Sequence, residues 1–150
     1  MNLNIAYPEL KTFLNKILNG TVTIDKIEHV KENTINAHIK KSILAADAEL
    51  SLVEIAGHDI VVDVQLSGLL GVARWGQKVL TKQRKDEEST LEKILGDAEM
   101  KGLVTIDEEN RNRLTVHLDK IEALTSVLEL LEVKGLSFGE SDVAVAAELL

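Results

Sequence analysis

From Val22 to Leu66 the apolar residues of this chain recur at every second position, and that period limits what the chain can become. Val22 and Ile24 alternate with Thr23 and Asp25, and Ile35, Ala37 and Ile39 resume the pattern. Ala46, Ala48, Leu50 and Leu52 then face away from Asp47, Glu49 and Ser51, and Ile60, Val62, Val64 and Leu66 face away from Asp63 and Gln65. A strand turns successive side chains to opposite faces, so each run has one dry side and one wet side. Between Ile24 and Ile27 the apolar set slips, which predicts a β-bulge near Asp25 and Lys26. Residues 31–34 and 56–59 are polar turn sequences. The segment therefore predicts a four-stranded antiparallel meander, with Gly68 ending it.

Other stretches follow helical spacing. Pro8 suits a first helical position, Leu10, Phe13, Leu14, Ile17 and Leu18 share a face, and Asn19-Gly20 stops the helix. Leu69, Val72, Ala73, Gly76, Val79 and Leu80 line one side of a second helix that runs to Lys85. Ser89 with Glu92 forms a capping box for a short helix that carries Leu91, Ile94 and Leu95 and ends at Gly96. Asp119 with Glu122 forms another, ahead of an amphipathic helix with Ile121, Leu124, Val127, Leu128 and Leu131. Two further hairpins carry Val104 and Ile106 against Leu114, Val116 and Leu118, and Val133, Leu136 and Phe138 against Val143, Val145, Ala147 and Leu149. The expected architecture is a single α+β domain over residues 1–150. Its antiparallel hairpins form one curved sheet, packed against two principal amphipathic helices, residues 69–85 and 121–131.

The core has few large anchors. With two Phe, one Tyr and one Trp, the interior must be filled by Leu, Val, Ile and Ala. That suits a thin sheet-and-helix sandwich, or a fold that leaves apolar space unfilled.

Several function classes drop out. A net charge of −8 argues against a nucleic-acid partner, which requires cations gathered on one face. The lack of cysteine removes disulfides, thiol nucleophiles and thiolate metal sites. MNLNIAYPELKTF has no signal-peptide pattern and no run approaches the roughly 18 apolar residues of a membrane span, so the chain reads as cytoplasmic. A chain already relieved of its leader and exported would read the same. His29, His38, His58 and His117 lack zinc-site spacing, although His29 and His38 flank one hairpin. The acidic clusters 86–88 and 107–109 sit beside Lys and Arg that neutralise them. Ser67-Gly68-Leu69-Leu70-Gly71 lacks the Lys of a phosphate loop and reads as a turn. No catalytic residue, metal site or cofactor is expected.

Residues 69–85 carry a more suggestive pattern. At about 100° per residue, Arg74, Lys78, Lys82 and Lys85 fall within an arc of roughly 80° opposite the apolar face, with Trp75 at the border. A basic face, an apolar face and a boundary Trp suit a helix lying on an anionic membrane surface, or one that docks a partner. The simpler alternative is a helix that packs its apolar side on the sheet and exposes its lysines, and it needs no partner.

In the order of its elements the chain resembles the small bacterial members of the tubular lipid-binding (TULIP) superfamily, related to bactericidal/permeability-increasing protein. The resemblance covers residues 21–66 and 114–150, including a helix followed directly by the hairpin VKGLSFGESDVAVAAEL. It implies a highly curved sheet around a long helix, and an apolar tunnel that binds an acyl chain or other apolar ligand. The groove would be lined by Leu50, Leu52, Val62, Val64, Val116, Val127, Leu131, Val143 and Val145. The same residues could equally form a filled core. The leading expectation is non-enzymatic binding of a lipid or other apolar ligand, with a membrane surface as one place for it. The alternative is a protein–protein interaction or assembly module, including a homo-oligomer, with no small ligand.

Overall fold

The computed structural model describes residues 1–19, 22–41, 44–70, 94–96, 98–110 and 112–150. The alternating runs become two antiparallel sheets rather than the single sheet expected. The larger has six strands in the order β2-β3-β4-β5-β7-β6. These are β2 (Thr23–Lys31), β3 (Thr34–Lys41), β4 (Leu44–Ala56), β5 (Asp59–Leu70), β6 (Val104–Ile106) and β7 (Arg113–His117). The smaller joins β1 (Asn2–Ala6), β9 (Asp142–Leu149) and β8 (Leu131–Phe138), with β9 in the centre.

The meander forms in the register that its alternation requires. Ala37 pairs with Ala48, Ala48 with Leu66, and Leu50 with Val64, so the apolar residues of β3, β4 and β5 share one face. The bulge falls where the slip in pattern puts it, between Ile24 and Lys26. The β2–β3 turn is held by Asn33 at φ +56° and the β4–β5 turn by Gly57 at φ +64°. That region is open to glycine and, among other residues, most readily to Asn. The β5 strand does not stop at Gly68. It continues to Leu70, which pairs with Ala45, because the 13-residue β4 still offers it partners.

Helix α1 (Tyr7–Ile17) forms as its period demands, with Pro8 in the first turn. Asn15 ties it to the sheet: its side-chain NH2 donates to the Ile24 carbonyl at 2.9 Å, and its Oδ1 accepts the Ile24 N–H at 2.7 Å. Tyr7 is buried, its hydroxyl donates to the Gly139 carbonyl, and that burial, together with the charge of Asp142, raises its pKa.

The helix expected over residues 121–131 does not form. Leu118–Lys120 and Glu122–Leu124 are 3-10 turns separated by Ile121 in an extended conformation, and only Thr125–Leu128 completes an α-turn. None of the three has a side-chain cap, so the Asp119/Glu122 box is not made. Both ends of the segment are committed elsewhere. Ile121 is buried, and Leu131 is paired with Leu149 in the small sheet. Tertiary burial overrides a local period of this length. Of the helix expected over residues 69–85, Leu69 and Leu70 belong to β5, and the remainder lies outside the described residues. Residues 94–96 and 98–100 are helical, so the helix expected to end at Gly96 has helical residues beyond it.

The two sheets meet through their apolar faces. Tyr7, Ile24, Ile27, Ile35 and Ala37 pack with Phe138 and Val143 in one cluster. Asn33 reinforces the joint, its Oδ1 accepting the Phe138 N–H at 3.3 Å. A second cluster of Ala48, Val62, Val64, Ala98, Val104, Ile106 and Leu114 lies further along the large sheet. Among the described residues no helix is long and apolar enough to cross a membrane.

Candidate functional site

Where the two clusters adjoin, the large sheet leaves a cavity of about 170 Å³. Its cause is legible in the side chains. Ala37 and Ala48 face each other across β3 and β4, 4% and 5% exposed, so two methyl groups stand where neighbouring positions carry Ile39, Leu50 and Leu66. The opposite wall comes from Leu14, Ile17 and Leu18 at the end of α1, from Ile94 and Leu95, and from Ile121. Leu103, Val104, Leu114 and Val116 complete the side toward β6 and β7.

Every described side chain in that wall is apolar. A buried water requires two to four polar partners, whereas a dry apolar cavity of about 150 Å³ is large enough to admit benzene. The space therefore suits a small hydrocarbon group and offers nothing to a charged one. Among the described residues no titratable group lines it, so they supply neither an acid, a base nor a nucleophile there.

The expected binding residues divide. Leu50, Val64 and Val116 stand in the cavity wall. Leu52 and Val62 belong to the adjoining core, and Val143 and Val145 to the cluster between the sheets. Val127 is 46% exposed and Leu131 opens β8, and neither lines the cavity, because the long helix expected to carry both does not form. Arg74, Trp75, Lys78, Lys82 and Lys85, and the acidic run 86–88, lie outside the described residues. The sequence marks Ala37, Ala48, Leu14 and Ile121 as inward apolar residues but not as ligand contacts. Alanine gives no hydrophobic signal strong enough to mark a gap, and the spacing of Ile121 suits the helix that does not form.

A second concavity, about 310 Å³, is polar and lined by Glu49, Ser51, Asp63, Gln65, Asn110 and Asn112 together with parts of Val64 and Leu66. Arg113 already occupies Asp63 through Nε at 2.9 Å and Nη2 at 3.3 Å. The histidines do not converge as a group. Register pairs His29 with Ile35 and His38 with Lys26, so the two do not face each other. His38 Nδ1 instead lies 2.9 Å from Asp47 Oδ1, and this hydrogen bond is the main reason that the Asp47 carboxyl is held below the usual range. The acidic loop after β6 is structural: Asp107 Oδ1 accepts the N–H groups of Glu109 at 2.8 Å and Asn110 at 3.1 Å.

Compared with known proteins, the chain matches no family model, no curated protein and no solved structure.

Proposed function

We propose that this protein is a non-enzymatic binder of an apolar ligand, which inserts a short hydrocarbon group into the cavity beside Ala37 and Ala48. The observation that carries the reading is the apolar wall that the described residues build around about 170 Å³. The resemblance to tubular lipid-binding proteins points to the same ligand class through the meander of residues 22–66, while the helix over residues 121–131 on which it also rested does not form. The membrane-surface part of the expectation rests on residues 74–85, outside the described residues.

Native mass spectrometry of the purified chain before and after organic extraction tests the reading, followed by addition of hexanol to the extracted protein. An adduct lost on extraction, or saturable uptake of hexanol that protects the fold against heat, is expected. A bare mass together with no uptake would end the reading.

One observation favours the assembly module as a second reading. The apolar face of the small sheet runs past the core: Val143 is buried, while Leu149 on the same face of β9 is 76% exposed and Leu130 is 67% exposed. A concentration-dependent oligomer that Leu149→Ser disperses, with no adduct and no hexanol uptake, would favour it.

A further inference from the structure

We propose that Asp59, His117 and Asp119 form a binding site for a divalent transition-metal ion of the zinc type. One donor atom from each side chain lies within 4.8 Å of the other two. Backbone pairing brings them together. Asp59 opens β5 and is the register partner of His117, the last residue of β7. The Leu118 N–H then donates to the His58 carbonyl at 2.9 Å, which holds the 3-10 turn bearing Asp119 against the β4–β5 hairpin.

The imidazole is oriented from outside the set. His117 Nε2 lies 2.7 Å from Thr105 Oγ1 on β6, while Nδ1 lies 2.8 Å from Asp59 Oδ1. A histidine that ligates through one nitrogen commonly has its other nitrogen held by an outer group, and Thr105 has that place. A His–Asp hydrogen bond alone would explain Asp59 and His117 but not why a second carboxylate converges on them. The ion pairs that Lys26, Lys40, Arg113 and Lys134 make all go to other carboxylates. Among the described residues, no Lys or Arg ion pair neutralises Asp59 or Asp119.

Two carboxylates and an imidazole nitrogen are a donor set whose negative charge a divalent cation compensates. The nitrogen donor selects zinc or nickel over magnesium or calcium, which take oxygen. Donors at about 2.1 Å from one ion stand no more than about 4.2 Å apart, so the set closes with a rotamer-scale shift of Asp119, its exposed member. Three protein ligands leave a coordination position for water or an outside ligand. The site stands independently of the apolar cavity.

The test uses the full chain, stripped by chelator and titrated with Zn²⁺ by calorimetry beside Asp119→Asn, Asp119→Ser and Thr105→Val. Circular dichroism checks the fold of each variant. The expected result is one equivalent bound by the parent chain, at least about tenfold weaker binding in both Asp119 variants, and about tenfold weaker binding in Thr105→Val. At the same Zn²⁺ concentration the thermal midpoint of the parent chain should rise by more than that of folded Asp119→Asn. The other histidines can take up zinc loosely, so binding that both folded Asp119 variants leave intact overturns the proposal. So does the lack of a saturable one-equivalent event up to millimolar zinc.

Discussion

Replacing Ala48 by leucine adds three carbons to the cavity from its floor. Ala48 is 5% exposed and flanked by Ala37 on β3 and Leu66 on β5, so the larger side chain can extend only into the gap. Were the space of about 170 Å³ a sealed void, about 24 cal/mol per Å³ would make it cost about 4 kcal/mol, which bounds from above what filling it can return. Three buried carbons at about 0.8 kcal/mol each contribute about 2.4 kcal/mol, less about 0.5–1 kcal/mol for fixing the leucine rotamer. The net gain is about 1.5 kcal/mol, which for a domain of this length raises Tm by about 3–6 °C. Thermal and urea unfolding of the extracted protein measure it, and a hexanol titration should show that uptake is lost in the same variant. Destabilisation by about 1–3 kcal/mol, the mark of an overpacked core, would refute the reasoning by showing that side chains already occupy the space.

Asn15→Ala removes both bonds to the Ile24 backbone at the edge of the bulge, and urea unfolding should report a loss of about 2 kcal/mol. Asn33→Ala should be about 1–2 kcal/mol less stable than Asn33→Gly, because both lose the bond to Phe138 but only alanine is strained at φ +56°. Acid should weaken the fold through three carboxylates held below the usual range: Asp25 chiefly by the Lys40 hydrogen bond, Asp47 by His38, and Asp107 by the Asn110 and Glu109 N–H groups. A folded pKa lowered in this way stabilises the protein above the ordinary carboxylate value and is lost as pH falls through the folded value. The urea midpoint should therefore stay level from neutral pH to about pH 5 and decline below about pH 4, with Asp107→Asn removing part of that decline.

The parts of the fold that were legible share one property: their partners are neighbours in the sequence. Alternation in residues 22–66 placed four strands, their turns and a bulge, because a half-buried hairpin writes its register into its own side chains. Strand β1 went unread although Leu3 and Ile5 alternate, since five residues carry little signal and their partner is at the far end of the chain. Residues 121–131 misled because their helical spacing is real, while the demands that break it, burial of Ile121 and pairing of Leu131, come from distant elements. The site was legible to the same degree. Leu50, Val64 and Val116 were found from their inward faces, but a gap between two alanines is visible only once their strands are side by side. His117 and Asp119 are two residues apart on a strand end and a turn, a spacing that suggests nothing until β5 brings Asp59 across.

The pairing of β1 with β9 imposes a schedule on folding. Asn2 meets Ala146, and among the described residues the first strand has no other partner in either sheet. On a ribosome that adds about 5–20 residues per second, β1 waits on the order of ten seconds with its ladder groups unmet. Meanwhile β2 to β5 can zip as successive local hairpins. The small sheet should thus close last during synthesis, and because β1 and β9 are also far apart in sequence, refolding of the whole chain should show a slow phase that follows them and is absent from probes placed in the meander.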